Sequence, residues 1–149
     1  GVDFVQNSPS LTPTPNGYIP VEDTYQHKTV PHVWAAGIAV QVDLPFTCKN
    51  VPFAAPKTGY PSDETGKIVA ENIVRLASGK TNLMHKAWGK IPGLCIMDAG
   101  KKEVIIFSNH LFKPRTFAIM IPNVIYDFNK VILEKYFMWK SRKGYAFLP

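Results

Sequence analysis

The spacing of apolar residues changes rhythm along this chain, and each change predicts an element. Between Ser62 and Gly79 the residues Val69, Ile73, Leu76 and Ala77 recur at helical spacing while Lys67, Glu71 and Arg75 fall elsewhere, which predicts a helix with one buried stripe. Ser62 is the expected cap, Asp63 and Glu64 suit the positive end of the helix dipole, and Gly79 is a stop. Beyond residue 90 the rhythm becomes alternating. Leu94 to Met97 and Val104 to Phe107 flank Asp98-Ala99-Gly100-Lys101, which predicts a β-hairpin with a longer loop. From Asn123 to Arg142 helical spacing returns, with Val124, Phe128, Val131, Ile132, Lys135, Tyr136 and Trp139 on one broad face. Pro122 suits the start of this amphipathic C-terminal helix, and Lys140, Arg142 and Lys143 gather at its end before Gly144.

The first half is less regular. Residues 7–17, NSPSLTPTPNG, read as a loop closed by an Asn-Gly turn; Tyr18–Val21 is a short strand candidate, and 22–31 a polar connector. His32–Ala36 reads as a buried strand closed by Gly37, with Ile38–Val42 as its apolar continuation. The loop from Asp43 to Pro61 carries Pro45, Pro52, Pro56 and Pro61, which rule out a helix interior across it. The mixture predicts an α/β fold, α+β for this chain in isolation, with a change of character that divides it into 1–88 and 89–149.

Length and charge narrow the functions open to it. A chain of 149 residues with 46% hydrophobic content has enough for one compact core or two small ones. The formal charge of +6 favours an anionic partner such as a lipid headgroup or a nucleotide phosphate. Nucleic acid is the poorer match, because the basic residues are dispersed and the aromatics fall on an apolar helix. Polar residues interrupt the apolar stretch Phe117–Trp139, so it does not read as a spanning helix, and no signal peptide is visible. Two cysteines, Cys48 and Cys95, make no disulfide framework and suit a reducing compartment. His27, His32, His85 and His110 fall at no metal-ligand spacing, so no metal site is expected. Gly1 opens the chain without an initiator methionine, which points to the C-terminal piece of a longer protein.

Candidate chemistry gathers between the Gly37 strand end and the following helix. A glycine there lets backbone approach a ligand closely, and a helix start presents free N–H groups to an electron-rich oxygen. Together they suit a flat electron-accepting cofactor such as a flavin; they equally suit an ordinary strand, a stiff loop and a helix. Lys57 can hold a carbonyl or phosphate oxygen or simply face water; Thr58 offers a hydroxyl, and Gly59 a left-handed turn. Lys49 beside Cys48 favours the thiolate, whereas Cys95 on an alternating strand reads as a core thiol. Tyr136, Phe137, Met138 and Trp139, followed by basic residues, suit either a membrane interface or a protein surface such as a second subunit.

The blocks GYIPVEDTYQHKTVPHVWAAG, PKTG, IVAENI, CIMDAG and FNKVILEKYFMWKSRKG resemble the C-terminal third of the sulfide:quinone oxidoreductases, peripheral membrane members of the pyridine nucleotide-disulfide oxidoreductase superfamily. The resemblance covers most of the chain. It implies the C-terminal fragment of an FAD/NAD(P)-binding-type flavoprotein on the cytoplasmic side of a membrane, in which sulfide is oxidised through cysteine persulfide chemistry and electrons pass through FAD to a quinone. Residues 1–88 would then close the FAD-binding domain, and 89–149 would form the quinone, membrane or interface region. Carried across, Gly37 and Ile38 meet the cofactor, Lys57, Thr58 and Gly59 lie near its ring, and Lys130 assists quinone protonation; Cys48 is the candidate redox thiol provided its loop folds back to the site. The partners implied are the N-terminal FAD-binding region, sulfide, quinone, a membrane surface and further copies of the chain. FAD belongs to the parent protein, and the fragment alone is expected to be inactive.

Three departures bear on that expectation. Ile38 stands where the wider superfamily has a cofactor-bonding Asp, a loss that the sulfide:quinone members share. Phe53 stands where many relatives carry the redox cysteine, five residues after Cys48. Pro61–Thr65 is more polar than the corresponding helix start. Two alternatives remain at this stage: a related flavoprotein dehydrogenase with another donor, and a non-enzymatic membrane or protein interaction module.

Overall fold

The computed structural model describes residues 3–11, 14–46, 54–98, 103–123, 126–145 and 147–148. A four-residue helix α1 (Asp3–Gln6) leads into extended segments, followed by the long helix α2 (Gly59–Ala77), strands β1 (Gly93–Asp98), β2 (Glu103–Ser108) and β3 (Ala118–Asn123), and helix α3 (Tyr126–Lys143).

Helix α2 begins one turn before the expected Ser62 cap. Thr58 is the N-cap residue, and Pro61 lies inside the first turn, where its missing N–H removes a donor that would have had no intrahelical partner. Ser62 instead donates back to the Thr58 carbonyl at 2.9 Å. The far end closes as expected: Gly79 takes φ +73°, and the Lys80 N–H reaches the Arg75 carbonyl at 2.9 Å.

The hairpin is present and antiparallel, with Leu94 opposite Phe107 and Ile96 opposite Ile105. A third strand, β3, continues the sheet, placing Ile119 opposite Phe107 and Ile121 opposite Ile105. The sheet order is β1-β2-β3, which leaves β1 as an edge. Because directly opposed residues share a face, Leu94, Phe107, Ile119, Ile96, Ile105 and Ile121 lie on one side, and Cys95, Ile106 and Met120 on the other. Both faces are apolar. Asn123 ends β3, so α3 starts at Tyr126 and not at Asn123.

The predicted strands Tyr18–Val21 and His32–Ala36 are extended segments joined by isolated bridges: Ile19 with Val40, Val21 with His27, Gln26 with Trp34. His32 and Tyr25 take φ of 65° and 67°, which breaks any regular ladder between them. These segments are nevertheless the core. Tyr25, Ala35, Val40, Ala55, Ile68, Trp88, Ile91 and Phe112 pack together, with Ile91 fully buried. Two polar side chains knit them. His27 accepts the Val30 and Thr29 N–H groups at Nδ1, 3.0 and 3.1 Å, so its proton sits on Nε2 and is donated to the Leu11 carbonyl. Asn72 of α2, with no exposed surface, donates to Thr24 and Met84 carbonyls and accepts the Met84 N–H at 2.7 Å.

Helix α3 departs from the amphipathic expectation. Val131, Ile132, Phe137, Met138 and Trp139 are all about half exposed and point in different directions, while Lys140 is buried. Gly144 at φ +70° stops the helix, and the Tyr145 N–H closes on the Lys140 carbonyl at 3.0 Å.

Candidate functional site

The Gly37 turn and the start of α2 form one unit. Residues Gly37–Ala39 make a single 3-10 turn, and Gly37 enters it at φ +63°, a conformation that disfavours any residue with a Cβ. A Cβ at Gly37 would lie 2.9 Å from Ser62 Oγ and 3.0 Å from Ser62 Cβ, so the turn sits directly on the first turns of α2. The Gly37 N–H donates to Thr65 Oγ1 at 2.9 Å, and that hydroxyl is fully buried.

Lys57 ties the same turn from the other end. Its Nζ donates to the Val40 carbonyl at 2.6 Å and the Ile38 carbonyl at 3.3 Å, and lies 3.2 Å from the centre of the Tyr18 ring. Burial pulls the Lys57 ammonium down to about 8, while the carbonyls and the ring favour its charged form. Ile38 itself is 64% exposed, with its side chain outward.

Thr58 and Gly59 are exposed at the start of α2, and no side chain caps the helix. The Ser62 N–H already bonds the Thr58 carbonyl at 3.2 Å and Pro61 has no N–H, so the groups that the first turn presents to an outside acceptor are those of Gly59 and Tyr60.

Beside this helix end lies a cavity of about 550 Å³, walled by Thr58, Gly59 and Tyr60 of α2, Leu94, Cys95 and Ile96 of the edge strand β1, and Leu133, Phe137 and Lys140 of α3. Its lining is mostly apolar, with the hydroxyls of Thr58, Tyr60 and Ser141 and one charged corner. There Lys140 reaches Asp63 at 3.2 Å, and Asp63 also pairs with Lys67 at 3.1 Å. Burial raises the pKa of the Tyr60 phenol, and Glu64 adds to the rise. Cys95 is a free thiol at the cavity wall. Such a space accepts a flat apolar molecule with an acceptor oxygen directed at the helix end.

Of the residues singled out from the sequence, Gly37, Ile38, Lys57, Thr58 and Gly59 meet around the start of α2. Cys48 lies outside the described residues, as does Phe53. Lys130 belongs to α3 by its backbone, and its side chain lies outside the described part. Sequence reasoning missed Thr65, because a threonine four residues after a proline in a helix carries no signal that its hydroxyl accepts a distant amide. It also missed Lys140 as a buried cation. Among the described residues, no group of three or more His, Cys, Asp or Glu is placed to hold a metal, and no helix is long and apolar enough to cross a membrane.

No family model matches the chain. Over 129 residues, 87% of its length, it is 27% identical to the sulfide-quinone reductase of Aquifex aeolicus (strain VF5). The X-ray structure of the sulfide:quinone oxidoreductase from the hyperthermophilic bacterium Aquifex aeolicus superposes on 97% of the chain with a TM-score of 0.84 at 24% identity. The chain is homologous to sulfide:quinone oxidoreductase. It carries an α/β fold matching that oxidoreductase scaffold. It spans 29% of the length of the curated sulfide-quinone reductase and 33% of the crystallised chain.

Proposed function

We propose that this chain is the C-terminal portion of an FAD-dependent sulfide:quinone oxidoreductase that works at the cytoplasmic surface of a membrane. The observation that carries the reading is the convergence of the Gly37 turn with an uncapped helix end beside an apolar cavity. The residues present fit a flavin: the unpartnered N–H groups of Gly59 and Tyr60 suit the electron-rich pyrimidine edge of its ring, and Gly37 and Ile38 lie one helix turn away. When bound, FAD supplies the two-electron carrier between donor and acceptor.

In this reading residues 1–88 complete the flavin-binding region, and residues 89–149 serve quinone and membrane. Thr58 and Gly59 border the ring, and Lys57 holds the Ile38–Val40 backbone in register with them. Cys48 receives sulfide sulfur as a persulfide, a change that releases two electrons. The cavity between β1 and α3 takes the quinone, which accepts two electrons and two protons, with Lys130 assisting protonation. The half-exposed Phe137, Met138 and Trp139, followed by Arg142 and Lys143, suit an anionic membrane interface.

The test is an absorption spectrum of the purified full-length protein during a sulfide titration with quinone withheld. Flavin bands that bleach with sulfide, and that persist in Cys48→Ser, are the expected outcome. A protein without flavin bands overturns the reading; bands that resist sulfide in the unsubstituted protein shift it to a different electron donor.

A further inference from the structure

Thr65 is the most constrained polar side chain near the proposed cofactor site, and no part of the function argued above uses it. It has no exposed surface. Its Oγ1 stands 2.9 Å from the Pro61 carbonyl and 3.1 Å from the Ser62 carbonyl, so its one proton is committed to the helix backbone. A lone pair then faces out of the helix, and the Gly37 N–H donates to it at 2.9 Å. The bond joins residues 28 apart in sequence. It is the direct hydrogen bond that links the Gly37 amide to α2, and the glycine leaves no room to slide, since a Cβ there would meet Ser62 at 2.9 Å.

We infer that Thr65 is a positioning residue: by fixing the Gly37 amide to α2 at one distance, its hydroxyl sets how the Gly37–Ala39 turn and the Gly59–Tyr60 N–H groups, side by side, face a flavin bound against both. The inference rests on the flavin reading above. Replacing the hydroxyl by a methyl group leaves the Gly37 N–H buried without an acceptor, and the turn must move to find one. Lys57 then holds only the Ile38 and Val40 carbonyls, so the turn pivots about that end. A pivot misaims the donors that favour the more negative, reduced ring over the oxidised one. The midpoint potential reports that difference, and the thermal midpoint reports loss of packing separately.

The experiment uses the full-length protein carrying Thr65→Val, Thr65→Ser or Thr65→Cys, with flavin retention on dialysis, flavin midpoint potential and thermal midpoint measured on each. Thr65→Val is expected to weaken flavin retention at least tenfold. It is also expected to change the ratio of reduced-to-oxidised flavin affinity about tenfold, equal to about 30 mV for a two-electron couple. Thr65→Ser restores both to within about threefold, because it keeps the acceptor. If Thr65→Val does not accumulate as folded protein, Thr65→Cys decides: its weak sulfur acceptor gives an intermediate shift in potential, and a potential equal to the parent's overturns the inference. A Thr65→Val protein with a lowered thermal midpoint but unchanged potential and retention overturns it too, leaving Thr65 a purely structural residue. An unsubstituted protein without flavin removes the reading on which the inference rests, and it does so before any substitution is made.

Discussion

Removing either half of the Lys140–Asp63 contact is expected to give unequal losses, although both substitutions break the same ion pair. The two groups are 3.2 Å apart. At that separation, 332/(ε·r) gives about 5 kcal/mol for an effective dielectric constant of about 20 and about 1 kcal/mol for about 80. The Asp63 side chain is 37% exposed, which favours the lower part of that range, roughly 2 kcal/mol after solvent screening. Lys140 is only 6% exposed, so its ammonium has lost most of its hydration whether or not Asp63 is charged. Asp63→Asn removes the attraction and leaves that desolvation uncompensated, for a loss of about 2 kcal/mol. Lys140→Met removes the attraction and the desolvation together, fills a similar volume, and leaves Asp63 paired with Lys67 at 3.1 Å; the expected change is under about 0.5 kcal/mol. The double variant should resemble Lys140→Met, not the sum of the singles. Urea unfolding followed by circular dichroism reads this directly, since a slope of about 2 kcal/mol/M converts the Asp63→Asn loss into a midpoint about 1 M lower. Equal losses in the two single variants, or strict additivity in the double, would refute the reasoning.

Two glycines on the same structural unit should respond in opposite directions to alanine. Gly37→Ala forces a Cβ into left-handed backbone and against Ser62, a loss of about 2 kcal/mol and a thermal midpoint roughly 4–8 °C lower. Gly66→Ala, inside α2 with open space around its Cβ, should stabilise by about 0.5–1 kcal/mol, and a lower midpoint for it would contradict the helix assignment. Lys57 predicts a pH dependence. Its folded pKa, drawn down to about 8 by burial, lies below the unfolded value, so between pH 8 and 9.5 the unfolded chain binds more protons and stability rises with pH. Lys57→Met should flatten that rise in urea titrations at pH 8.0, 8.5 and 9.0, a window that stops about one unit short of the tyrosine midpoint; an unchanged slope would show that Lys57 does not cause it.

The α2 helix and the β1–β2 hairpin were legible from the period of their apolar residues, but the buried face of α2 was not: Pro61, Thr65, Ile68 and Asn72 are buried, while Ile73, Leu76 and Ala77 of the expected stripe are exposed. The start of α2 was misread because proline was taken as an outer boundary, whereas at Pro61 the first helical turn has no N–H bond to lose. Strand β3 was missed because AIMIPN runs straight into a proline and an apolar stretch that also suits a helix start. The segments around Ile19 and Trp34 were rightly read as extended and wrongly as strands: Tyr25 and His32 at positive φ allow single bridges and nothing longer. At the candidate site the sequence indicated Gly37 and the PKTG turn, both marked by glycine. Thr65 and Asn72 stayed hidden, since what defines them is a partner 28 residues or more away or across a loop.

The misreading of α3 has a physical cause that bears on function. Pattern rules assume that apolar residues turn inward, and on α3 Lys140 is buried against Asp63 while Phe137, Met138 and Trp139 stand about half exposed. The three-stranded sheet repeats the conflict, with apolar residues on both faces and Met120 and Ile121 among the exposed. A single core cannot cover two sheet faces and the whole circumference of a helix, so this half of the chain carries more apolar surface than its own residues bury. The first half buries Val40 and Tyr25 to 2% exposure but leaves Ile38, Ile73, Val74 and Leu76 at 40% or more. The larger share of exposed apolar surface lies on the sheet and α3, which border the proposed quinone cavity. That placement follows if residues 89–149 work against a second apolar medium, and it makes the ion pair at Lys140 the polar anchor that holds an outward-facing helix to an otherwise ordinary core.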